Sequence, residues 1–212
     1  MRLLILGATG GTGRALINQA TGRGHAITAF VRSPQKLGWL IERIVVRKGD
    51  PRSIADLQAV VSGQDAVLSA LGPPGVGPTT ILRAAAQSTV AAMQAAGVRR
   101  LLVVSAAILF SDLGITGSVL RRTLLRNVGD DSLEMERMVM ASGLNWTIVR
   151  PPRLTNGPLI EHYRVANGHL PGGSAFASIS RVDVAHFLLD ELEHNTHIHQ
   201  IVGISNGKGV QR

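Results

Sequence analysis

The chain opens on Leu3-Leu4-Ile5-Leu6 and runs directly into Gly7-Ala8-Thr9-Gly10-Gly11-Thr12-Gly13-Arg14, after which apolar residues recur at helical spacing. An apolar strand that breaks into glycines and then into a helix leaves few folds open. Only backbone without side chains lets a strand end, a tight turn and a helix N-terminus crowd together in this way. Gly7 is placed to make the turn, Gly10 to let a ligand approach the backbone, and Gly13 to let the helix pack on the strand. The free N–H groups and positive dipole end of the helix then suit an anion such as a dinucleotide pyrophosphate. A plain surface turn is the alternative; the strand before, the helix after and the position at the chain start favour nucleotide binding.

The same alternation continues along the chain, which predicts a doubly wound α/β (Rossmann-type) sheet of parallel strands with helices on both faces. Strands are predicted near 2–6, 26–31, 44–48, 65–71, 100–105, 146–150 and 199–204, and helices near 12–22, 53–62, 79–96, 129–142 and 181–193. The expected strand order 3-2-1-4-5-6 brings the strands' C-terminal ends to one rim. Residues 1–212 suit a single domain of this size. Two segments, near 107–128 and 153–178, are expected to cover the substrate. In the first, Ile115 to Leu125 suits a helix while Gly114 and Gly117 suggest a mobile loop. The second is rich in Gly, Pro and Asn.

Composition narrows the partners. The net charge is +8, from 22 basic and 14 acidic residues, but the basic residues are scattered and aromatics make up only 3% of the chain, so a nucleic-acid platform is not expected. A positive field around an anionic dinucleotide and an acidic substrate accounts for part of the excess. The opening apolar run is too short for a signal peptide and no run reaches membrane-span length, so a cytoplasmic protein without membrane attachment is expected. Cysteine is absent, which excludes thiolate catalysis and disulfides. His194, His197 and His199 straddle a helix–strand junction without a convincing carboxylate partner, so no metal is expected.

Several residues then acquire chemistry. An NAD enzyme of this fold ends its second strand with a carboxylate for the ribose, whereas here Phe30-Val31 leads to Arg32-Ser33-Pro34-Gln35-Lys36. Arg32, backed by Lys36, suits a 2′-phosphate, which favours NADP(H); an exposed loop arginine is the alternative. Asp50, in Gly49-Asp50-Pro51, is either a contact for the adenine amino group or an ordinary helix start. Leu71-Gly72 offers backbone beside the cofactor or makes a simple turn. Ser105, after Val104, reaches nicotinamide or substrate from a strand end, unless its hydroxyl caps local backbone. The Tyr-x-x-x-Lys pair used by many reductases cannot form: Tyr163 is the only tyrosine, and Asn167 stands where the lysine would be.

With Gly7-Ala8-Thr9-Gly10, Thr12-Gly13, Phe30-Val31-Arg32, Gly49-Asp50, Gly63-Gln64-Asp65-Ala66-Val67, Pro78-Thr79-Thr80, Ser105-Ala106, Ser142-Gly143-Leu144 and Pro151-Pro152 in this order, the chain resembles the atypical short-chain dehydrogenases/reductases. Within them it is most similar to the NmrA-like NAD(P)H-binding proteins, on the branch of the flavin and biliverdin-IX-beta reductases. The resemblance implies a single-domain NADPH enzyme that passes hydride to free flavin or a similar planar acceptor. It places Thr9, Gly10, Gly11 and Thr12 at the pyrophosphate, Arg32 and Lys36 at the 2′-phosphate and Ser105 by the nicotinamide.

Residues and resemblance together set the expected cofactor site as Gly7, Thr9, Gly10, Gly11, Thr12, Gly13, Arg32, Lys36, Asp50, Pro51, Leu71, Gly72, Val104, Ser105, Pro151 and Pro152. Ser105 and Arg153 are expected to act on the substrate, and the assembly is expected to be a monomer or weak homodimer. One departure matters, because the branch has a histidine where Arg153 follows the double proline. Arginine keeps its charge across the neutral range, so it can bind an anionic group or stabilise charge on a reduced flavin but cannot serve as a proton donor. Biliverdin as substrate is therefore doubtful. The rival reading is a non-catalytic NmrA-like protein that senses NADP(H) or scaffolds a partner.

Overall fold

The computed structural model describes residues 1–123 and 125–206. The first half alternates β1 (Arg2–Leu6), α1 (Gly11–Gly22), β2 (Ala26–Val31), β3 (Val45–Lys48), α2 (Ile54–Val61), β4 (Ala66–Ser69), α3 (Ile81–Ala96) and β5 (Arg100–Val104). The second half adds α4 (Gly114–Arg122), α5 (Arg126–Met140), β6 (Asn145–Arg150), β7 (Arg153–Thr155), β8 (Tyr163–Asn167), β9 (Ser178–Ser180), α6 (Arg181–His194) and β10 (Gln200–Asn206).

The main sheet has the order β3-β2-β1-β4-β5-β6-β10-β8. The expected order 3-2-1-4-5-6 therefore holds, and the sheet is parallel as far as β10. Strand β1 is paired on one side with β2 and on the other with β4, so the chain reverses its direction of travel across the sheet there. In open α/β sheets the ligand crevice lies at such a reversal, above the strand ends.

Both faces of β1 are buried, which is why its sequence is a continuous apolar run rather than an alternation. Leu3 and Ile5 point into the core shared with α1 and α6, and Leu4 and Leu6 into the opposite core with α2, α3 and α5. All four are at most 1% exposed, and burying each such side chain contributes on the order of 1.5–3 kcal/mol. Helix α3 takes its N-terminal cap from outside its own segment. Asp131 of α5, buried, accepts from the Leu82 and Arg83 amides, while Thr80 at the N-cap makes no side-chain cap.

Three features depart from the sequence expectation. The sheet is not wholly parallel, because β8 closes its edge antiparallel to β10. The 153–178 segment, expected as an irregular cover, carries β7, β8 and β9, with β7 and β9 paired as a separate two-stranded ribbon. These strands are three to five residues long, and β8 is an edge strand carrying Arg164, so neither length nor alternation marks them. In the 107–128 segment, Ala107–Leu109 forms a 3-10 turn and α4 follows. Gly117 lies inside α4, where an added Cβ would collide with the Leu113 side chain, so it is a packing residue. Leu124, at the end of the expected helix, lies outside the described residues.

Candidate functional site

The glycine turn separates into two kinds of position. Gly7 has φ +75°, and a Cβ there would collide with the Ala70 carbonyl as the chain leaves β4. At Gly13 a Cβ would strike the Gly7 carbonyl and the Ala8 backbone. Both are glycine because the protein itself fills the space. Gly10 differs, since the only nearby atom to an added Cβ is the Gly7 oxygen at 3.3 Å. Its amide donates to that same oxygen, closing the turn, and its outer side is open. Gly10 is also the N-cap of α1 and offers no side-chain cap, and the first turn of α1 has no acidic residue. The helix therefore presents its positive end bare at the crevice, an arrangement that fits a diphosphate.

Arg14, the residue after the last glycine, ties this turn to the segment following β2. Its Nε donates to the Thr9 carbonyl at 3.3 Å, Nη1 donates to the Leu37 carbonyl at 3.4 Å, and Nη2 donates to the Lys36 carbonyl. The Pro34–Arg43 segment is a pair of 3-10 turns joined at Gly38, φ +62°. Arg32 and Lys36 at its start are exposed, and neither forms an ion pair among the described residues. They stand as two cations beside the end of β2, without a salt-bridge partner among the described residues.

Asp50 sits close enough to Arg32 to feel its charge, but Arg52 holds it. The Arg52 guanidinium reaches both carboxylate oxygens, at 2.5 Å from Nη2 to Oδ2 and 3.0 Å from Nε to Oδ1, and its amide donates to Oδ1. These contacts, with a smaller contribution from Arg32, hold the Asp50 carboxyl at about 2. The helix-start alternative for Asp50 is corrected. Ser53 is the N-cap of α2, its Oγ accepting from the Asp56 amide, and Asp56 in turn accepts from the Asp50 amide. Pro51 is buried in the turn between them. Leu71 and Gly72 leave β4 beside Gly7, and a Cβ on Gly72 would meet nothing within 4 Å.

At the far side of the reversal, the Ser105 amide donates to the Val149 carbonyl at 2.7 Å and the Ala107 amide to the Pro151 carbonyl at 2.9 Å. These bonds lash the end of β5, with buried Val104, to the end of β6, so Ser105 and the Pro151-Pro152-Arg153 run stand side by side. The Ser105 hydroxyl is buried and has no hydrogen-bond partner among the described residues. It is not the backbone cap that the alternative reading proposed. A buried hydroxyl left unpaired costs roughly 1–3 kcal/mol, so the site fits a ligand that supplies the missing bond. Arg153, at the start of β7, is exposed and makes no ion pair among the described residues.

Tyr163 is elsewhere in chemistry as well as in sequence. It lies on β8, where a residue four positions on is roughly 13 Å away, and its hydroxyl is hydrogen-bonded to His186 at 2.9 Å. Burial, reinforced by the Asp190 and Asp183 carboxylates, pushes its phenol above the ordinary value, opposite to the shift a catalytic tyrosine needs. The three C-terminal histidines each serve a different protein group. His197 donates to Glu191, His199 to the Leu144 carbonyl and His194 to the Asp190 carbonyl.

The sheet reversal, the glycine turn and the bare helix end together define a Rossmann-type nucleotide-binding protein. A family model described as NAD(P)H-binding matches residues 7–195, and the chain belongs to that family. Among solved structures it is similar to a Rossmann-fold NAD(P)-binding family protein from Shigella flexneri, at 30% identity over 100% of this chain and 97% of that one, TM-score 0.73. ChuY, an anaerobilin reductase from Escherichia coli O157:H7, shares the fold at 17% identity, with 100% of both chains covered and TM-score 0.81. The protein YwnB of Bacillus subtilis (strain 168) is 25% identical over 206 residues, 93% of this chain and 94% of its own. Among the described residues no helix is long and apolar enough to cross a membrane.

Proposed function

We propose that this protein is an NADPH-dependent reductase that passes hydride to a free flavin or a similar flat, electron-poor acceptor. The observation that carries the reading is the buried, unpartnered Ser105 hydroxyl beside the Pro151-Pro152-Arg153 run, at the rim that the glycine turn opens. NADPH supplies the hydride when bound. Gly10 leaves the pyrophosphate room against backbone, Arg32 and Lys36 neutralise the 2′-phosphate, and Ser105 gives the nicotinamide or acceptor a fixed hydrogen bond. Pro151 and Pro152 shape the wall next to it.

The acceptor side supports an anionic, planar substrate. The 3-10 turn after Ser105 and the residue that ends it contribute Ile108 and Phe110 to a cavity of about 560 Å³ whose lining also carries Arg121, Arg122 and Arg126, the last facing Asp130 at 3.9 Å. An apolar face with arginines on one side suits a ring system bearing phosphate or carboxylate. Arg153 adds a further cation, and hydride transfer to a flavin requires chiefly that the two rings be stacked in reach, protonation coming from water. A structural neighbour that is an anaerobilin reductase supports reduction of a planar conjugated acceptor. The protein is expected to act as a monomer or weak homodimer in the cytoplasm.

Purified protein with NADPH and FMN, riboflavin or biliverdin in turn tests this by loss of NADPH absorbance. FMN should be reduced, and Arg153→Ala should mainly raise its KM, while Ser105→Ala lowers kcat roughly two- to tenfold, the worth of one neutral hydrogen bond. Tight NADPH binding without oxidation by any of the three acceptors would instead favour a redox sensor.

A further inference from the structure

Arg181, the first residue of α6, lies across the glycine turn although it is far from it in sequence. A Cβ on Gly11 would collide with the Arg181 Cδ and come within 2.9 Å of its Nε, so the absent side chain at Gly11 is what admits the arginine. The guanidinium is steadied from the other side, where Nη1 donates to Asn156 Oδ1 at 2.7 Å and more loosely to the Leu154 carbonyl at 3.5 Å. No carboxylate pairs with it among the described residues. Its remaining N–H groups have no protein partner there either.

This is an unfavourable place for a lone cation. The N-terminus of α1 is bare and without acidic residues, and the Arg181 side chain, from the first residue of α6, lies directly on it at Gly11, so a positive helix end and a guanidinium meet there. The one carboxylate in the first turn of α6, Asp183, is turned away and consumed. It is fully buried, accepts from the Ile160 and Glu161 amides at 2.8 and 3.0 Å, and accepts from the Ser180 hydroxyl at 2.7 Å. Among the described residues no carboxylate pairs with the guanidinium over the α1 N-terminus.

We infer that Arg181 is a diphosphate-binding residue, closing over the pyrophosphate from the α6 side while the Gly10–Thr12 amides hold it from below. The inference rests on the dinucleotide site and deepens it by adding a side-chain cation to a turn that otherwise binds through backbone alone. Planar guanidinium groups bind phosphate oxygens in pairs, and the N–H groups not committed to Asn156 remain for that purpose. Through Asn156 and Leu154 the same arginine fixes the strand that begins at Arg153. The pyrophosphate and the acceptor-side cation are thereby held to a common post.

Calorimetry with two fragments tests it without any turnover. ADP-ribose contains the diphosphate and no 2′-phosphate; adenosine 2′-monophosphate contains the 2′-phosphate and no diphosphate. Arg181→Met should weaken ADP-ribose at least tenfold and leave adenosine 2′-monophosphate unchanged, with Arg181→Lys falling between wild type and Arg181→Met. Asn156→Ala should change ADP-ribose affinity less than threefold, because the guanidinium is retained. Unchanged ADP-ribose affinity in Arg181→Met would overturn the contact, and equal weakening of both fragments would show a general distortion instead. Wild-type protein that binds neither fragment would remove the dinucleotide site on which the inference rests, a separate failure.

Discussion

The two sides of the crevice are built by different means. Around the glycine turn the tightest contacts are local and made by backbone: Gly7 turns the chain, its carbonyl takes the Gly10 amide, and Gly13 packs back on the same carbonyl, all within seven residues, while Arg14 alone reaches out, to the Lys36 and Leu37 carbonyls 22 and 23 positions on. On the proposed acceptor side, besides the backbone bonds from Ser105 and Ala107, the contacts are made by side chains that span long stretches. Arg150 reaches Glu136 across 14 positions, and Asp183 reaches Ile160 across 23. A rigid turn that any dinucleotide can use needs only small residues and a fixed backbone. A cavity shaped for one class of acceptor needs clamps that can be re-set by changing a few side chains.

That contrast can be broken most severely at the acceptor-side clamp. Arg150 and Glu136 form a buried bidentate pair, Nε to Oε1 at 2.9 Å and Nη2 to Oε2 at 2.5 Å, with the side chains 10% and 0% exposed. The Arg150 guanidinium also lies 4.7 Å from the centre of the Phe110 ring, which lines the proposed acceptor cavity. Glu136→Ala leaves a buried cation uncompensated and should cost roughly 3–5 kcal/mol of stability by denaturant unfolding. In the folded fraction, the KM for FMN should rise while ADP-ribose affinity holds. A loss of ADP-ribose affinity equal to the loss of FMN binding would show that the two sides are not separately built.

The cofactor side yields a sharper contrast between neighbouring glycines. Gly10→Val places a side chain where only one protein atom stands near, so thermal unfolding should stay within a few degrees of wild type while calorimetric affinity for NADPH and NADH falls at least 100-fold. Gly13→Val should do the reverse in order of events, losing the fold first, because its side chain meets backbone that cannot move. If Gly10→Val binds either cofactor as wild type does, the turn is not the pyrophosphate site.

How far the sequence could be read follows the same division. Strands β1, β4 and β5 were legible because burial on both faces writes continuous apolar runs, whereas β3, half charged and mostly exposed, was legible only from the alternation around it; the glycine turn was legible because its contacts are seven residues long. The three short strands of 153–178 were not, since β8 is an edge strand with one exposed face and β7 and β9 pair only with each other. The partner of Asp50 is only two residues away, but Asp-Pro reads as a helix start and so hides the role of Arg52. Arg14 stood in the motif itself, next to Gly13, and its position was a usable signal. Arg181 left none: only the folded chain brings it onto Gly11, and a run of Ser-Arg-Val-Asp opening a helix looks like capping, which Ser180 and Asp183 do perform.

The central claim is that the bare turn and the two unpaired cations after β2 make a site for a dinucleotide carrying a 2′-phosphate. Calorimetric titration of NADPH and of NADH into wild type and Arg32→Ala protein tests it most directly. The account expects NADPH to bind wild type at least tenfold more tightly, the worth of charge-assisted contacts of about 1.5–3 kcal/mol, and expects Arg32→Ala to lose most of that preference with NADH affinity unchanged. Equal affinities for the two cofactors in wild type, or a preference that survives Arg32→Ala intact, would contradict it.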